Sequence, residues 1–252
     1  MRHSTKSPLR PAKLHQERKN GYDPCQRHRA RVKAAKALDK CEALTASPVS
    51  FHIQMLELER DVERLRSLTR AERIDMKRDV LLPRWMPTVE AYLAGDARFA
   101  NPALVYCVIW LFDTGEMGKA LDWADVAISE SQATPENFKS NLPAFVADTV
   151  LEWAIMQAEA GHSIEPYFSR TFENIREKWR LHEDINAKWF KFAGLYLLRD
   201  EKGQPRATAV DDVNTLEQAD ALLAQAAAYN KNAGVKTMRE KIRARINGLT
   251  QL

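Results

Sequence analysis

The sequence has no apolar run of eighteen residues and no CxxC pair, and its three cysteines, Cys25, Cys41 and Cys107, are odd in number and far apart. The first absence excludes a membrane-crossing helix, which needs about 20 apolar residues. The other two argue against a disulfide framework and for a reducing compartment. Cys25, His28, Cys41 and His52 are spaced too loosely for a zinc finger, so no metal site is expected. Arg2, Lys6, Arg10 and Lys13 interrupt the stretch where a secretory signal needs its apolar core, which makes a cytosolic protein the default. Alternating Val, Ile or Thr runs between turn residues are missing, so no sheet is expected and the predicted fold is all-α. A GxxxxGK[ST] phosphate loop, an HExxH and a GxSxG elbow are missing too.

What is present is an uneven distribution of charge. The net charge of the 252 residues is +4. Residues 1–40, however, carry twelve Lys or Arg against three acidic residues, and everything after them sums to −5. A basic arm ahead of a mildly acidic body is the pattern of a chain whose one end meets a polyanion. Residues 1–22, with Pro8, Pro11 and Gly21 and no periodic apolar face, are predicted to be a disordered basic tail. Asp23 can then cap a helix with Pro24 in its first turn, running to about Ala46 and ended by Ser47-Pro48. Ser50 can start a second helix without Gly or Pro for nearly thirty residues, completing a helical hairpin over 23–80.

Within the first helix Arg29, Lys33, Lys36 and Lys40 fall at spacings of four, three and four, which places them on one stripe. Ala30, Ala34, Ala37, Leu38, Cys41 and Leu44 occupy another sector. Arg27, His28 and Arg31 crowd the first turn, where the helix dipole already disfavours cations. A double-stranded nucleic acid suits this face, because phosphates attract Lys and Arg whatever the sequence and Arg also reads guanine edges. A membrane surface does not, since the apolar sector has no Trp or Phe to enter lipid. On the second helix Met55, Leu58, Val62 and Leu65 alternate by three and four, a seam that packs either on the first helix or on another copy of the chain.

Leu81–Pro87, LLPRWMP, is predicted to be a proline-punctuated connector and a domain boundary. From 88 to 252 a phrase recurs: an apolar helix, a glycine turn and an amphipathic helix. Its three glycines, Gly115, Gly161 and Gly203, stand 46 and 42 residues apart. That period suggests stacked helical hairpins of the tetratricopeptide kind, a surface for partner proteins. Trp110, Trp123, Trp153 and Trp189 sit at apolar helical positions and are expected in the core. For metal-dependent chemistry the weak candidates are Asp113, Glu116 and Asp122, with Asp125, Asp200 and Glu201 at the same kind of position. Acids at helix starts ordinarily serve as caps.

Three segments carry a resemblance: CQRHRARVKAA at 25–35; LLPRWMPTVEAYLAG with WLFDTGEMGKALDWADVAI within 81–128; and KFAGLYLLRDE at 191–201 with the closing ADALLAQAAAYNKNAGVKTMREKIRARI. In wording and order they resemble the small terminase subunit of the Peduovirus-type temperate tailed phages. The departures are the long tail before Cys25 and the insertion QPRATAVDDVNT at 204–215. The resemblance implies a DNA-packaging role in the host cytoplasm. It implies a large ATPase subunit as partner, double-stranded viral DNA as ligand, and a homo-oligomeric ring. Magnesium and ATP are implied at the level of the terminase complex, with no cofactor in this chain. Such proteins are labelled endonuclease subunits, yet no nuclease motif is visible here. Three readings therefore stand beside each other: a DNA-recognition subunit working with the large partner, an autonomous metal-dependent endonuclease, and a helical-repeat adaptor without catalysis.

Overall fold

Helix after helix begins at a side chain that accepts a hydrogen bond from its own first turn. Asn101 precedes Pro102 and accepts from the Leu104 N–H at 3.2 Å, and Asn141 accepts from the Ala144 N–H at 3.0 Å. Asp212 accepts from the N–H groups of Asn214 and Thr215 at 3.3 and 2.9 Å. Such caps satisfy donors that the helix itself leaves open and stabilise it by about 1 kcal/mol each. The computed structural model describes residues 48–251 apart from Ala97 and Asn137, and among them every regular element is helical, with one isolated bridge between Arg199 and Pro205.

The order is α1 (Pro48–Arg66), α2 (Arg70–Met76), a π-helical turn (Lys77–Leu81), α3 (Leu82–Ala94), α4 (Pro102–Asp113), α5 (Met117–Ser129), α6 (Leu142–Glu159), α7 (Tyr167–Glu177), α8 (Glu183–Tyr196), a 3-10 turn (Ala207–Ala209), α9 (Val213–Tyr229) and α10 (Lys236–Thr250). From residue 51 onward these elements gather into one compact unit.

Two expectations fail here for physical reasons. The long second helix does not run unbroken to 80. It stops at Arg66, and Thr69 opens α2 with a capping box, its hydroxyl accepting from the Glu72 N–H while the Glu72 carboxylate accepts from the Thr69 N–H at 2.9 Å. Arg73 seals the break by donating to the carbonyls of Leu68 and Arg66 at 2.9 and 3.2 Å. The connector and domain boundary at Leu81–Pro87 is instead helix, and Leu81, Leu82 and Trp85 are buried. The π turn ahead of Pro83 is what accommodates it: the Leu82 N–H bonds back to Lys77, and the widened turn opens the ladder where a proline ring would clash.

The repeat reading fits the packing. α4 pairs with α5, α6 with α7 and α8 with α9, while α6 also touches α8 and α5 touches α7, the neighbour-on-neighbour stacking of a solenoid. Gly115, Gly161 and Gly203 make the turns with φ of 85°, 76° and 74°, the left-handed region that glycine enters without penalty. The insertion at 204–215 holds the Pro205 bridge, the 3-10 turn and the α9 cap. Trp110, Trp123 and Trp189 are buried and Trp153 is half-buried. The Trp189 indole donates to the Ala147 carbonyl at 3.2 Å and stacks on Phe168. A second, smaller core joins α8, α9 and α10 through Phe190, Leu198, Leu216, Leu223 and Ile242. At Gly194 α8 comes close to α9. A Cβ there would stand 2.9 Å from the Leu223 side chain and 3.0 Å from the Ala219 carbonyl.

Candidate functional site

The cationic residues expected to meet DNA, Arg27, His28, Arg29, Arg31, Lys33, Lys36 and Lys40, lie outside the described residues, as does the first helix of the expected hairpin. The second helix is described, and it changes the reading of the seam. Leu58 is 2% exposed and Leu65 is buried, and Met55 and Val62 pack beside them into the chain's own main core. An apolar stripe goes to the nearest apolar surface, and here that surface belongs to the same chain. Leu58 and Leu65 are thus not available to another copy. Among the described side chains of α1 the exposed large apolar ones are Ile53 and Leu56, on its opposite side.

What fixes α1 is a polar node that the sequence did not announce. Asp61, 4% exposed, accepts from Arg84 Nη1 at 2.9 Å and from the Trp85 indole N–H at 3.0 Å. Arg84 also donates to Glu57 at 2.5 Å and lies 5.3 Å from the centre of the Trp85 ring. A buried carboxylate is tolerated only when donors surround it, and here a guanidinium and an indole N–H meet it from one turn of α3.

Most of the acidic candidates are drawn into similar pairings. Asp113 at the end of α4 takes the Lys77 ammonium of the π turn at 2.6 Å. Asp122 and Asp125 of α5 both hold Arg170 of α7 at 2.6 Å, and Asp125 also accepts from Asn174 at 2.9 Å. Burial works against the Arg170 charge, but the hydrogen bonds and charges of Asp125 and Asp122 outweigh it and raise its pKa above the ordinary value. Glu116 stands at the N-cap of α5 without a side-chain cap bond. Asp200 accepts from the N–H groups of Lys202 and Gln204 and pairs with Arg206 at 3.0 Å. Among the described residues no group of three His, Cys, Asp or Glu side chains is gathered as a metal ion requires. Asp113, Asp122, Asp125 and Asp200 tie helices and turns together.

Other elements the sequence left unread are structural as well. The Tyr92 hydroxyl, Glu130 and Gln132 pin the loop before α4, with 2.6 Å between Tyr92 and Glu130 and a Gln132 donation to the Phe99 carbonyl at 2.9 Å. Burial, followed by the bond to Glu130, raises the Tyr92 pKa. Cys107 is buried, and burial pushes its thiol far up, which removes it as a nucleophile. An open cleft of about 490 Å³ runs between the Gly161 and Gly203 turns, where Arg199 donates to the Ala158 carbonyl at 2.5 Å and caps the end of α6. No helix among the described residues is long and apolar enough to cross a membrane.

Residues 55–184 match the family model of the phage small terminase subunit. Over 202 residues, 80% of this chain and 72% of the relative, the sequence is 42% identical to a probable terminase, endonuclease subunit, of Haemophilus phage HP1 (strain HP1c1). Over 174 residues, 69% of this chain and 70% of the relative, it is 25% identical to a terminase, endonuclease subunit, of Escherichia phage P2. No solved structure matches the chain.

Proposed function

The chain belongs to the phage small terminase subunit family, and from that premise we propose that it recognises the packaging site on concatemeric viral DNA in the host cytoplasm. It hands that DNA to a large ATPase subunit, and cutting depends on the two together. One observation carries the reading: residues 1–40 hold twelve Lys or Arg against three acidic residues, with Arg27, Arg29, Arg31 and Lys33 crowded at the start of the predicted helix, where its dipole disfavours cations and a phosphate backbone would favour them. The stacked hairpins behind it offer the extended surface that repeat proteins use for protein partners. Self-assembly into a ring completes the reading, and light scattering of the full chain is expected to give a multiple of 28.8 kDa.

Magnesium and ATP act at the level of the complex in this reading. The described carboxylates do not fit a divalent ion, because Asp113, Asp122 and Asp125 are already engaged by Lys77 and Arg170. No step of cleavage is therefore routed through them. The test is binding of packaging-site DNA by the full chain carrying Arg27→Ala, Arg29→Ala, Arg31→Ala and Lys33→Ala, followed by fluorescence anisotropy over a salt series. Weaker binding is expected, with a log–log salt slope shallower by about 0.9 for each phosphate that is no longer neutralised. Binding equal to the parent overturns the proposal.

Both relatives carry the words endonuclease subunit in their names, which motivates a second reading in which this chain cuts DNA by itself. Under that reading the chain alone, with magnesium and packaging-site DNA, nicks the duplex. No cutting without the large subunit removes that reading.

A further inference from the structure

The acidic body behind residue 40 conceals a second cationic end. Residues 231–252 hold six Lys or Arg against one acidic residue, Glu240, whereas residues 41–230 hold twenty basic and thirty acidic residues. Lys231 precedes α10, and the helix sorts the other five cations into two groups. Arg239 lies against α9, its Nε and Nη2 donating to the Asp220 carboxylate at 2.8 and 3.0 Å. Arg245 donates to the Val210 carbonyl at 3.1 Å and to Asp211. Both arginines are used to hold the helix to the body. Lys236, Lys241 and Arg243 are exposed, and no hydrogen bond or ion pair engages them among the described residues.

The apolar residues of α10, Met238, Ile242, Ile246 and Leu249, pack into the second core. Lys236 and Arg243 are seven residues apart on the outward side, about 10 Å along the axis. Lys241 stands on the other flank of the exposed side, about 140–160° around the axis from these two, and Glu240 and the small residues Thr237, Ala244, Asn247 and Gly248 lie between. Lys236 occupies the first turn, which holds no acidic residue and no side-chain cap, so its charge opposes the helix dipole. The cations of this face contribute nothing visible to the fold.

We propose that the outward face of α10 is a second contact for the phosphate backbone of duplex DNA, additional to the basic N-terminal segment and independent of sequence. It rests on the DNA-binding reading above. A protein partner would need apolar or aromatic anchors at the centre of the contact, and this face exposes none. A phosphate backbone needs only spaced cations and small neighbours that allow close approach.

The test uses the full chain carrying Lys236→Ala, Lys241→Ala and Arg243→Ala, and a charge-keeping variant with Lys236→Arg and Lys241→Arg. Each is titrated with a packaging-site duplex and a random duplex by anisotropy over a salt series. The alanine variant is expected to bind both duplexes about tenfold more weakly, with a log–log slope shallower by about 2–3, while the arginine variant binds like the parent. Circular dichroism and the unfolding midpoint check the fold, and the single variants Lys241→Ala and Arg243→Ala, each with a slope shallower by about 0.9, serve should the triple variant not fold. Parental binding by the alanine variant, with binding weakened in the Arg27, Arg29, Arg31 and Lys33 variant, overturns this proposal and leaves the DNA-recognition reading standing. Parental binding by the alanine variant with reduced capture of the large subunit overturns it in favour of a protein contact. An unmodified chain that binds neither duplex overturns both.

Discussion

Two helix contacts in this molecule solve the same problem with opposite chemistry. α1 meets α3 through a buried charge: Asp61 accepts from Arg84 and from the Trp85 indole. α8 meets α9 through a missing side chain: Gly194 lets the backbone lie on Ala219 and Leu223 with no polar side chain between them. α1 has a narrow apolar stripe and many charged residues, so shape alone would leave its angle on α3 poorly defined. Donors arriving at a carboxylate from fixed directions supply that definition at a desolvation cost. α9 is rich in alanine, and α8 needs only one glycine to reach contact distance. The lesson is that this chain uses charge where burial is scarce and omits atoms where burial is plentiful.

Either junction can be disrupted by substitution. The largest effect is expected from Asp61→Ala, which orphans the buried Trp85 N–H and one side of Arg84 and should lower the unfolding free energy in urea by about 3 kcal/mol. The double change Asp61→Leu with Arg84→Met goes further: recovery of most of the loss would mean that the node sets orientation and adds little net stability. Gly194→Ala comes next, at about 2 kcal/mol, because the new methyl must displace Leu223 or the Ala219 backbone. A thermal midpoint equal to the parent's would show that α8 and α9 can part without cost.

The smallest effect concerns an exposed carboxylate. The Thr215 hydroxyl, then its N–H and that of Asn214, hold Asp212 below its ordinary carboxylate pKa. A depressed folded pKa gives stability that is fully present above the unfolded value, about pH 4, and is lost as pH falls through the lowered one. The midpoint difference between Asp212→Asn and the parent is therefore expected to shrink as pH drops from 7 to 3.

Much of the fold was legible because its signals are local. The turns at Gly115, Gly161 and Gly203 and the buried tryptophans follow from side chains acting on their own neighbourhood. The Thr69 and Glu72 capping box was equally local, but an uninterrupted run without Gly or Pro hid it. Leu81–Pro87 misled because two prolines signal a break unless a π turn precedes them, and nothing in the residues themselves announces that turn. The pairings of the acidic candidates were not legible because their partners are remote in sequence: Arg170 lies 48 residues beyond Asp122, and Lys77 lies 36 before Asp113. The seam of Met55, Leu58, Val62 and Leu65 was visible, but which surface it would meet depended on the whole assembly of helices.

The Gly194 contact also bears on how force travels. Sliding one helix over another is eased by side chains that trade rotamers across the boundary, and at Gly194 α8 contributes none: its bare backbone lies against the Leu223 side chain and the Ala219 carbonyl. A pull delivered to α9 is therefore expected to pass into α8 at that point with little slip, the hairpin serving mechanically as a strut.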